Sequence, residues 1–482
     1  YAFWQEFSRS LEVRYAKKAA QGIPVLPNQV TMEFLAKNID PNHLGAVPVG
    51  VEKRTMKVHM MDMAARPIHV ILSEGDAWKG FTDSLTAMLS QKYHGRTILL
   101  APGADASTVE QNSRASCFSH KSETARPYYY QVYLADHDIN VEIAPTDRAA
   151  AMTFTYPAGE VSGVVVDAYD EGSYIKVLPE KQAIIGYTTK NCGGVPDNFR
   201  NWFVVKFDKP FESTMVYDGP AKGLGEALEF EGNHVLASVG FRTQRDEKVN
   251  IKVASSFISL EQAWLNLEEV GDKTFAQVKS QAKDRWNDVL SRIQIGGGSE
   301  EQYRTFYSCL YRATLFPRKF YEINSNGTPV HYSPYDGQVH NGYLYTDTGF
   351  WDTFRALFPL LNLVYPSVNK EIQQGLANIA RENRFLPEWA SPGHRGCMVG
   401  NNSASVVADA ILKGITPEED WQTLYDCIVY GTENVHPTVN SSGRLGHEYY
   451  NSIGYIPYNI GIHESVARTL EYAYDDWCIC QL

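Results

Sequence analysis

The most constraining feature of this 482-residue chain is a change in hydrophobic period near residue 259. Before that point, apolar residues alternate with polar ones in short runs, which Gly, Pro, Asp and Asn interrupt roughly every ten residues. Many short strands at that spacing are typical of an antiparallel β-sandwich. After that point, apolar residues recur three and four positions apart, which predicts helices. The sequence therefore predicts a β domain followed by a helical domain.

We place the predicted β-sandwich over residues 95–258. The alternating segments are Thr97–Leu100, Tyr128–Leu134, Ile139–Ile143, Met152–Tyr156, Gly163–Val166, Ser173–Val177, Gln182–Thr188, Trp202–Phe207, Ser213–Tyr217, His234–Phe241 and Val249–Ser256. Residues 1–94 lack this regularity. We predict that they form a divergent N-terminal segment of mixed secondary structure, with one amphipathic helix over Phe3–Ala20.

Helical patterning begins after the sandwich. Residues 259–298 predict a helical linker that ends at the triple glycine Gly296–Gly298. Residues 299–482 alternate helices with long Tyr-, Gly- and Pro-rich loops, which favours part of an α/α toroid. The predicted helices are Glu301–Leu315, Phe350–Leu363, Val368–Asn383, Ser403–Lys413, Glu418–Tyr430 and Glu464–Leu482.

Charge and composition exclude several partners. The net charge is −12 and no dense Lys/Arg tract occurs, which argues against binding to nucleic acid or to an anionic membrane. The sequence contains no run of about 18 apolar residues, which is the length that a transmembrane helix needs. The seven cysteines are scattered, without the spacing of a disulfide framework or a zinc finger.

The termini predict a fragment. The chain begins at Tyr1 rather than Met and reaches Leu482 inside an apolar stretch that has no helix stop signal. We therefore expect part of a longer protein, in which the lack of a visible signal peptide is uninformative.

One segment combines helix-forming and polar residues next to an irregular loop. Trp351, Asp352 and Arg355 crowd the first turn of the helix predicted from Phe350, and Thr348 or Asp352 could cap it. A carboxylate can accept hydrogen bonds from two sugar hydroxyls, and an indole face can cover the C–H side of a sugar ring. The structural alternative is that Trp351 belongs to the core and that Asp352 and Arg355 form a local ion pair.

A second candidate region is the glycine- and proline-rich loop over Leu386–Asn402. It carries Glu388, Trp389, His394 and Arg395, and such a density of polar groups suits binding of several hydroxyls. For His394 and Arg395, sugar binding and a structural role in tying down the loop remain open alternatives. For Asn401 and Asn402, which end the loop, the structural role is favoured.

These motifs together resemble glycoside hydrolase family 92, the calcium-dependent exo-acting α-mannosidases. The resemblance rests on the WDTFRA run beginning at Trp351 and on the blocks Phe118–Pro157, Leu386–Gly414 and Gly454–Gln481. It covers roughly residues 95–482 and not residues 1–94. It implies a sandwich followed by an (α/α)6 barrel, of which this chain would hold the N-terminal part.

The resemblance also implies function and site residues. The expected reaction is calcium-assisted release of terminal mannose from N-glycan-type α-mannosides, with inversion, by a periplasmic or extracellular enzyme. The resemblance implies that Trp351 packs against the sugar and that Asp352 binds its hydroxyls, with Arg355 holding the Asp352 carboxylate. His394 and Arg395 of the loop are added as candidate sugar-binding residues on the composition of that loop. The catalytic acid, the base and most Ca²⁺ ligands are expected beyond Leu482, so this chain should be inactive alone.

Two other functions remain open at this stage. One is another α/α-toroid glycosidase or a glycoside phosphorylase, which would need a phosphate site. The other is a non-catalytic carbohydrate-binding protein, which would lack two opposed carboxyl groups across its pocket.

Overall fold

The computed structural model of the chain describes residues 46–51, 58–62, 114–191, 193–220 and 222–482. The chain divides into two compact units, residues 1–95 and 96–482. In the first unit, strands β1 (Ala46–Val51) and β2 (Val58–Asp62) form an antiparallel hairpin. The helix predicted over residues 3–20 and the strand predicted over residues 97–100 lie outside the described residues.

The second unit begins with two antiparallel sheets. Its strands are β3 (Thr124–Arg126), β4 (Tyr129–Leu134), β5 (Ile139–Pro145), β6 (Ala149–Tyr156), β7 (Gly159–Asp167), β8 (Ser173–Leu178), β9 (Ala183–Thr188), β10 (Asn201–Phe207), β11 (Ser213–Asp218), β12 (Glu229–Gly232), β13 (Val235–Thr243) and β14 (Glu247–Ser256). The larger sheet has the order β12-β8-β9-β10-β14-β6-β5-β4-β3, and the smaller one has the order β11-β13-β7. Only β3 and β12 among these strands have no counterpart in the sequence prediction, because both are short and polar.

The sandwich core lies between the two sheets. The larger sheet contributes fully buried residues such as Phe154 and Ile251, and the smaller sheet contributes Val216 and Phe241. Along β14, buried Val249 and Ile251 alternate with exposed Lys248 and Asn250, since successive side chains point to opposite faces. Burial of such side chains contributes about 2–3 kcal/mol each.

The outer face of the larger sheet is partly covered by two helices. Helix α1 (Leu260–Leu267) and helix α2 (Phe275–Leu290) pack Ala263 and Val278 against sheet residues that include Val204. Both helices begin at capping side chains: Ser259 accepts from an amide of α1, and Thr274 forms a reciprocal capping box with Gln277.

The rest of the second unit is helical. Its helices are α3 (Glu300–Ala313), α4 (Phe350–Thr353), α5 (Leu357–Val364), α6 (Pro366–Asn383), α7 (Ser403–Leu412), α8 (Glu418–Thr432), α9 (His447–Ile453) and α10 (Ser465–Ile479). Short strands connect them: β15 (Arg318–Lys319), β16 (Glu322–Ile323), β17 (Pro329–Tyr332), β18 (Val339–Asn341), β19 (Tyr345–Thr346), β20 (Thr348–Gly349) and β21 (Trp389–Ala390). Among the described residues, no helix is long and apolar enough to cross a membrane.

The prediction of one helix over Phe350–Leu363 is wrong. The segment breaks into α4 and α5, and Ala356 between them leaves the helical region with φ −136° and ψ −48°. Pro359 explains the break, because its ring would clash with the carbonyl four residues earlier in a continuous helix. The predicted side-chain cap is also wrong, since α4 starts at Gly349 without one.

Candidate functional site

The exposed carboxylate of Asp352 is held at the start of α4 by a neighbouring loop. Strands β20 and β21 pair Gly349 with Trp389, and the indole Nε1 of Trp389 donates to Asp352 Oδ2 at 3.2 Å. The amide of Phe350 also donates to the Glu388 carbonyl at 2.9 Å. The two regions that the sequence analysis singled out separately therefore meet at this point.

Gly349 permits this approach. A Cβ atom at this position would lie 2.0 Å from Trp389 Nε1 and 2.5 Å from Asp352 Oδ2, distances that real side chains do not adopt. We predict that Gly349→Ala forces Trp389 away from Asp352 and costs about 1–3 kcal/mol of unfolding free energy. Urea unfolding followed by Trp fluorescence measures this cost. Gly296→Ala, where a Cβ meets nothing within 4 Å, is the control and should leave stability unchanged.

Arg355 does not hold the Asp352 carboxylate, which corrects the sequence-based assignment. Its Nη2 donates to Glu471 Oε1 at 3.1 Å, and its Nη1 donates to the Trp351 carbonyl at 3.1 Å. The same Glu471 oxygen accepts from the indole Nε1 of Trp351 at 3.2 Å. Glu471 comes from α10, 116 residues along the chain, so local spacing could not predict this partner.

Arg395 lies on the same loop as Trp389, the residue whose indole donates to Asp352. Its guanidinium sits 5.8 Å from the centre of the Trp389 ring, and its amide donates to the Trp389 carbonyl at 2.9 Å. Asp352 and Arg395 are both exposed. We call Asp352, Trp389 and Arg395 the indole cluster. The carboxylates of Asp352 and Glu471 are matched in number by the guanidiniums of Arg395 and Arg355. This equality of negative and positive charge suits a neutral ligand.

His394 lies behind the indole cluster rather than in it. It is 8% exposed, its Nε2 contacts Asn383 Oδ1 and its Nδ1 contacts Ser442 Oγ, both at 2.9 Å. Burial, and secondarily the neighbouring His436, lowers the pKa of His394 to about 3, so the ring is neutral. With both nitrogens engaged, the geometry favours the structural alternative for His394.

Two buried carboxyl groups hold the end of the loop over Leu386–Asn402. Glu388, which is 1% exposed, accepts from the amide of Asn402 at 2.8 Å and from its side chain at 3.1 Å. Asp475, which is 0% exposed, accepts from the amide of Asn401 at 2.9 Å. Consecutive amides at the start of α7 are thus held by carboxyls from two distant segments. The structural role expected of both asparagines fits these contacts.

Burial also changes how these carboxyls titrate. It raises the pKa of Glu388 well above its usual value, and the nearby Asp475 charge adds to that rise. Burial raises the pKa of Asp475 to about 7, opposed by the Asn401 amide and by Arg444. Asp475 is therefore protonated under mildly acidic conditions.

The raised pKa of Asp475 makes stability pH-dependent. Between pH 4 and about 7 the folded protein keeps a proton that the unfolded chain loses, so the free energy of unfolding falls as pH rises, by up to about 1.4 kcal/mol per unit. We predict that Asp475→Asn removes this contribution. Urea unfolding at pH 5, 6, 7 and 8 should show the parent losing stability relative to the variant. Parallel pH profiles for the two proteins would contradict it.

Glu471 is the functional candidate that sequence reasoning missed, because nothing in its local pattern distinguishes it. Trp389 and Glu388 were visible on the loop, but their roles required the pairing of β20 with β21. In the described part of the chain, no group of three or more His, Cys, Asp or Glu side chains could hold a metal ion.

Comparison with known sequences defines the class of protein. Residues 81–256 match the Glycosyl hydrolase family 92 N-terminal domain, and residues 262–482 match the Glycosyl hydrolase family 92 catalytic domain. The chain belongs to glycosyl hydrolase family 92. The resemblance stated from the sequence motifs is therefore confirmed.

Solved structures agree with this assignment. An inverting family 92 mannosidase from Bacteroides thetaiotaomicron is 45% identical, with a TM-score of 0.76 over 79% of this chain and 51% of that one. A family 92 α-mannosidase of the same organism, in complex with mannoimidazole, is 28% identical, with a TM-score of 0.71 over 79% and 51%. The predicted β-sandwich followed by helices of an α/α toroid is confirmed by this likeness.

A curated relative extends the comparison to fungi. An uncharacterized secreted glycosidase of Arthroderma benhamiae is 24% identical over 403 residues, which cover 77% of this chain and 48% of that protein. The chain thus spans about half the length of the relatives it matches.

Proposed function

We propose that this chain is part of an exo-acting α-mannosidase that releases terminal mannose with inversion. The observation that carries the proposal is the indole cluster, in which the exposed carboxylate of Asp352 accepts from Trp389 Nε1 and the Arg395 guanidinium lies against the Trp389 ring. The likeness to the solved family 92 mannosidases supports mannose as the sugar.

Each residue of the site has a proposed role toward the sugar. The Asp352 carboxylate accepts hydrogen bonds from two adjacent hydroxyls, and Arg395 donates to another hydroxyl. Trp351 supplies packing, and Arg355 with Glu471 fixes the Trp351 indole. His394 supports the loop from behind rather than meeting the sugar.

Hydrolysis with inversion needs a general acid and a general base whose carboxyl groups lie roughly 6.5–9.5 Å apart. We assign neither role to a residue of this chain. We propose that both, together with the ligands of an assisting Ca²⁺, come from sequence that the longer relatives possess beyond the matched half. When bound, the ion would supply a hard Lewis acid for sugar hydroxyls.

Comparison of two lengths of the protein tests this proposal. The 482-residue chain and a form extended to the length of its relatives are each incubated with α-linked mannobiose, with and without a chelator. We expect calcium-dependent mannose release by the longer form and none by the shorter one. Release by the shorter form would disprove the proposed division of catalytic groups.

Experiments with the same longer form also distinguish a hydrolase from a phosphorylase and from a carbohydrate-binding protein. Phosphate-dependent formation of mannose 1-phosphate would favour a phosphorylase, and sugar binding without turnover would favour a carbohydrate-binding protein. We propose N-glycan-type mannosides as substrates and a secreted location, periplasmic or extracellular, in line with the name of the fungal relative. Release of mannose from high-mannose glycopeptides tests the substrate.

A further inference from the structure

A polar cavity of about 650 Å³ lies at one end of the sandwich. Its walls come from the ends of β8, β9 and β12 and from residues 189–191 and 195–200, and they include no member of the indole cluster. Cavities of this size hold ligands as large as a disaccharide. The lining side chains that could recognise a ligand are Glu171, Tyr187, Asn191, Asp197, Arg200 and Glu231.

The wall is rigid because it continues a row of aromatic side chains across the sheet. Tyr174, Tyr187 and Trp202 lie directly opposite one another on β8, β9 and β10, and Glu231 on β12 stands opposite Tyr174. The two tyrosine rings stack at 5.8 Å, and Trp202 meets Tyr187 edge-on at 4.8 Å. Cross-strand aromatic contacts of this kind stabilise a sheet and fix its side chains.

The polar groups of the cavity are paired in a way that favours a neutral ligand. Tyr187 donates its hydroxyl to Glu231 Oε1 at 2.8 Å, and the Arg200 guanidinium lies 5.1 Å above the Tyr187 ring. Glu171 pairs with Lys190 at 2.6 Å. Carboxylates outnumber guanidiniums among the lining residues, which disfavours phosphate and acidic sugars. Acceptors, a donor and an aromatic edge together suit a polyhydroxylated compound.

The segment that forms one wall of the cavity also contacts the loop of the indole cluster. Gly194 packs so closely that a Cβ there would lie 2.6 Å from the His394 carbonyl oxygen. Asn198 donates to the Gly337 carbonyl at 2.8 Å, and Phe199 belongs to the core of the helical domain. The segment that lines the cavity therefore touches the loop that carries Trp389 and Arg395, although it includes neither of those side chains.

We propose that this cavity is a second carbohydrate site, which binds a neutral mannose oligosaccharide independently of the indole cluster. The choice of mannose rests on the proposed function, whereas the preference for a neutral, hydroxyl-rich ligand rests on the lining alone. Arg200 and Glu231 contact the sugar hydroxyls, and the aromatic row keeps both side chains in place.

Calorimetric titration of the 482-residue chain with α-linked mannotriose tests the inference. We expect saturable binding that Arg200→Ala weakens roughly tenfold, a change of about 1.4 kcal/mol in binding free energy. Tyr187→Phe, which removes the donor to Glu231, should weaken it in the same direction. The titrations are repeated in the Asp352→Asn background, where sugar binding at the indole cluster is weakened and the remaining heat reports the cavity, which Asp352 does not line.

Matched controls separate the cavity from general surface effects. Arg245→Ala removes an exposed arginine of the same sandwich, and Tyr133→Phe removes a tyrosine hydroxyl that donates to Asp138. Neither should change affinity. Circular dichroism of every variant shows whether it is folded.

The outcomes distinguish this inference from the proposed function. Absence of saturable binding by the folded chain, or binding that Asp352→Asn abolishes and Arg200→Ala spares, would overturn the second site even if the longer form releases mannose. Binding of gluco-oligosaccharides with the same sensitivity to Arg200→Ala, and none of mannotriose, would overturn its mannose identity.

Discussion

Replacing Asp352 by Asn is expected to lower kcat/KM for mannose release by the longer form about 100-fold or more. The carboxylate is exposed and already oriented by Trp389 Nε1 at 3.2 Å, so it can accept charge-assisted hydrogen bonds from sugar hydroxyls. Asparagine keeps the shape but loses the charge and one acceptor. Two weakened charge-assisted bonds correspond to about 3 kcal/mol. Steady-state kinetics on α-linked mannobiose measures the effect.

The control for this experiment is Asp426→Asn. Asp426 is also exposed on the helical domain, where its carboxylate accepts from the Gln422 side chain at 2.7 Å. We expect its substitution to leave kcat/KM unchanged. Equal activity of Asp352→Asn and the parent would show that Asp352 is not a sugar-binding residue.

The second large effect is on stability. We expect Glu388→Ala to cost about 3 kcal/mol or more, because it strips the buried Asn402 amide and side chain of their acceptor and leaves a cavity. Glu388→Gln should cost less than Glu388→Ala, since glutamine fills the same space and keeps one of the two oxygens that accept from Asn402. Urea unfolding of the helical domain compares the variants.

Glu433→Ala is the matched surface control and should change stability by less than about 0.5 kcal/mol. If Glu388→Gln proved as damaging as Glu388→Ala, the filled space and the remaining acceptor would contribute nothing, which would contradict this account of Glu388. If neither variant changed the unfolding midpoint, the loop would not depend on Glu388 for its attachment to α7.

The architecture was largely readable from the order of the residues. Alternation along each strand is a local property, so the sequence predicts the positions of the strands between Tyr128 and Ser256 without information on their pairing. The break within Phe350–Leu363 was also encoded locally, by Pro359, although the apolar periodicity hid it. The domain limits at residues 94, 258 and 298 remain predictions.

For the candidate site, too, the sequence predicts some features and the tertiary structure decides the others. The sequence by itself determined which segments carry the chemistry, because the WDTFRA run and the loop over Leu386–Asn402 hold the carboxylate, indoles and guanidiniums. Only the tertiary structure decided which side chains contact each other. Arg355 donates to Glu471, the Trp389 indole donates to Asp352, and His394 is buried. The physical reason is that periodicity fixes a residue's place on its own strand or helix. Its partners depend on packing between segments up to 120 residues apart.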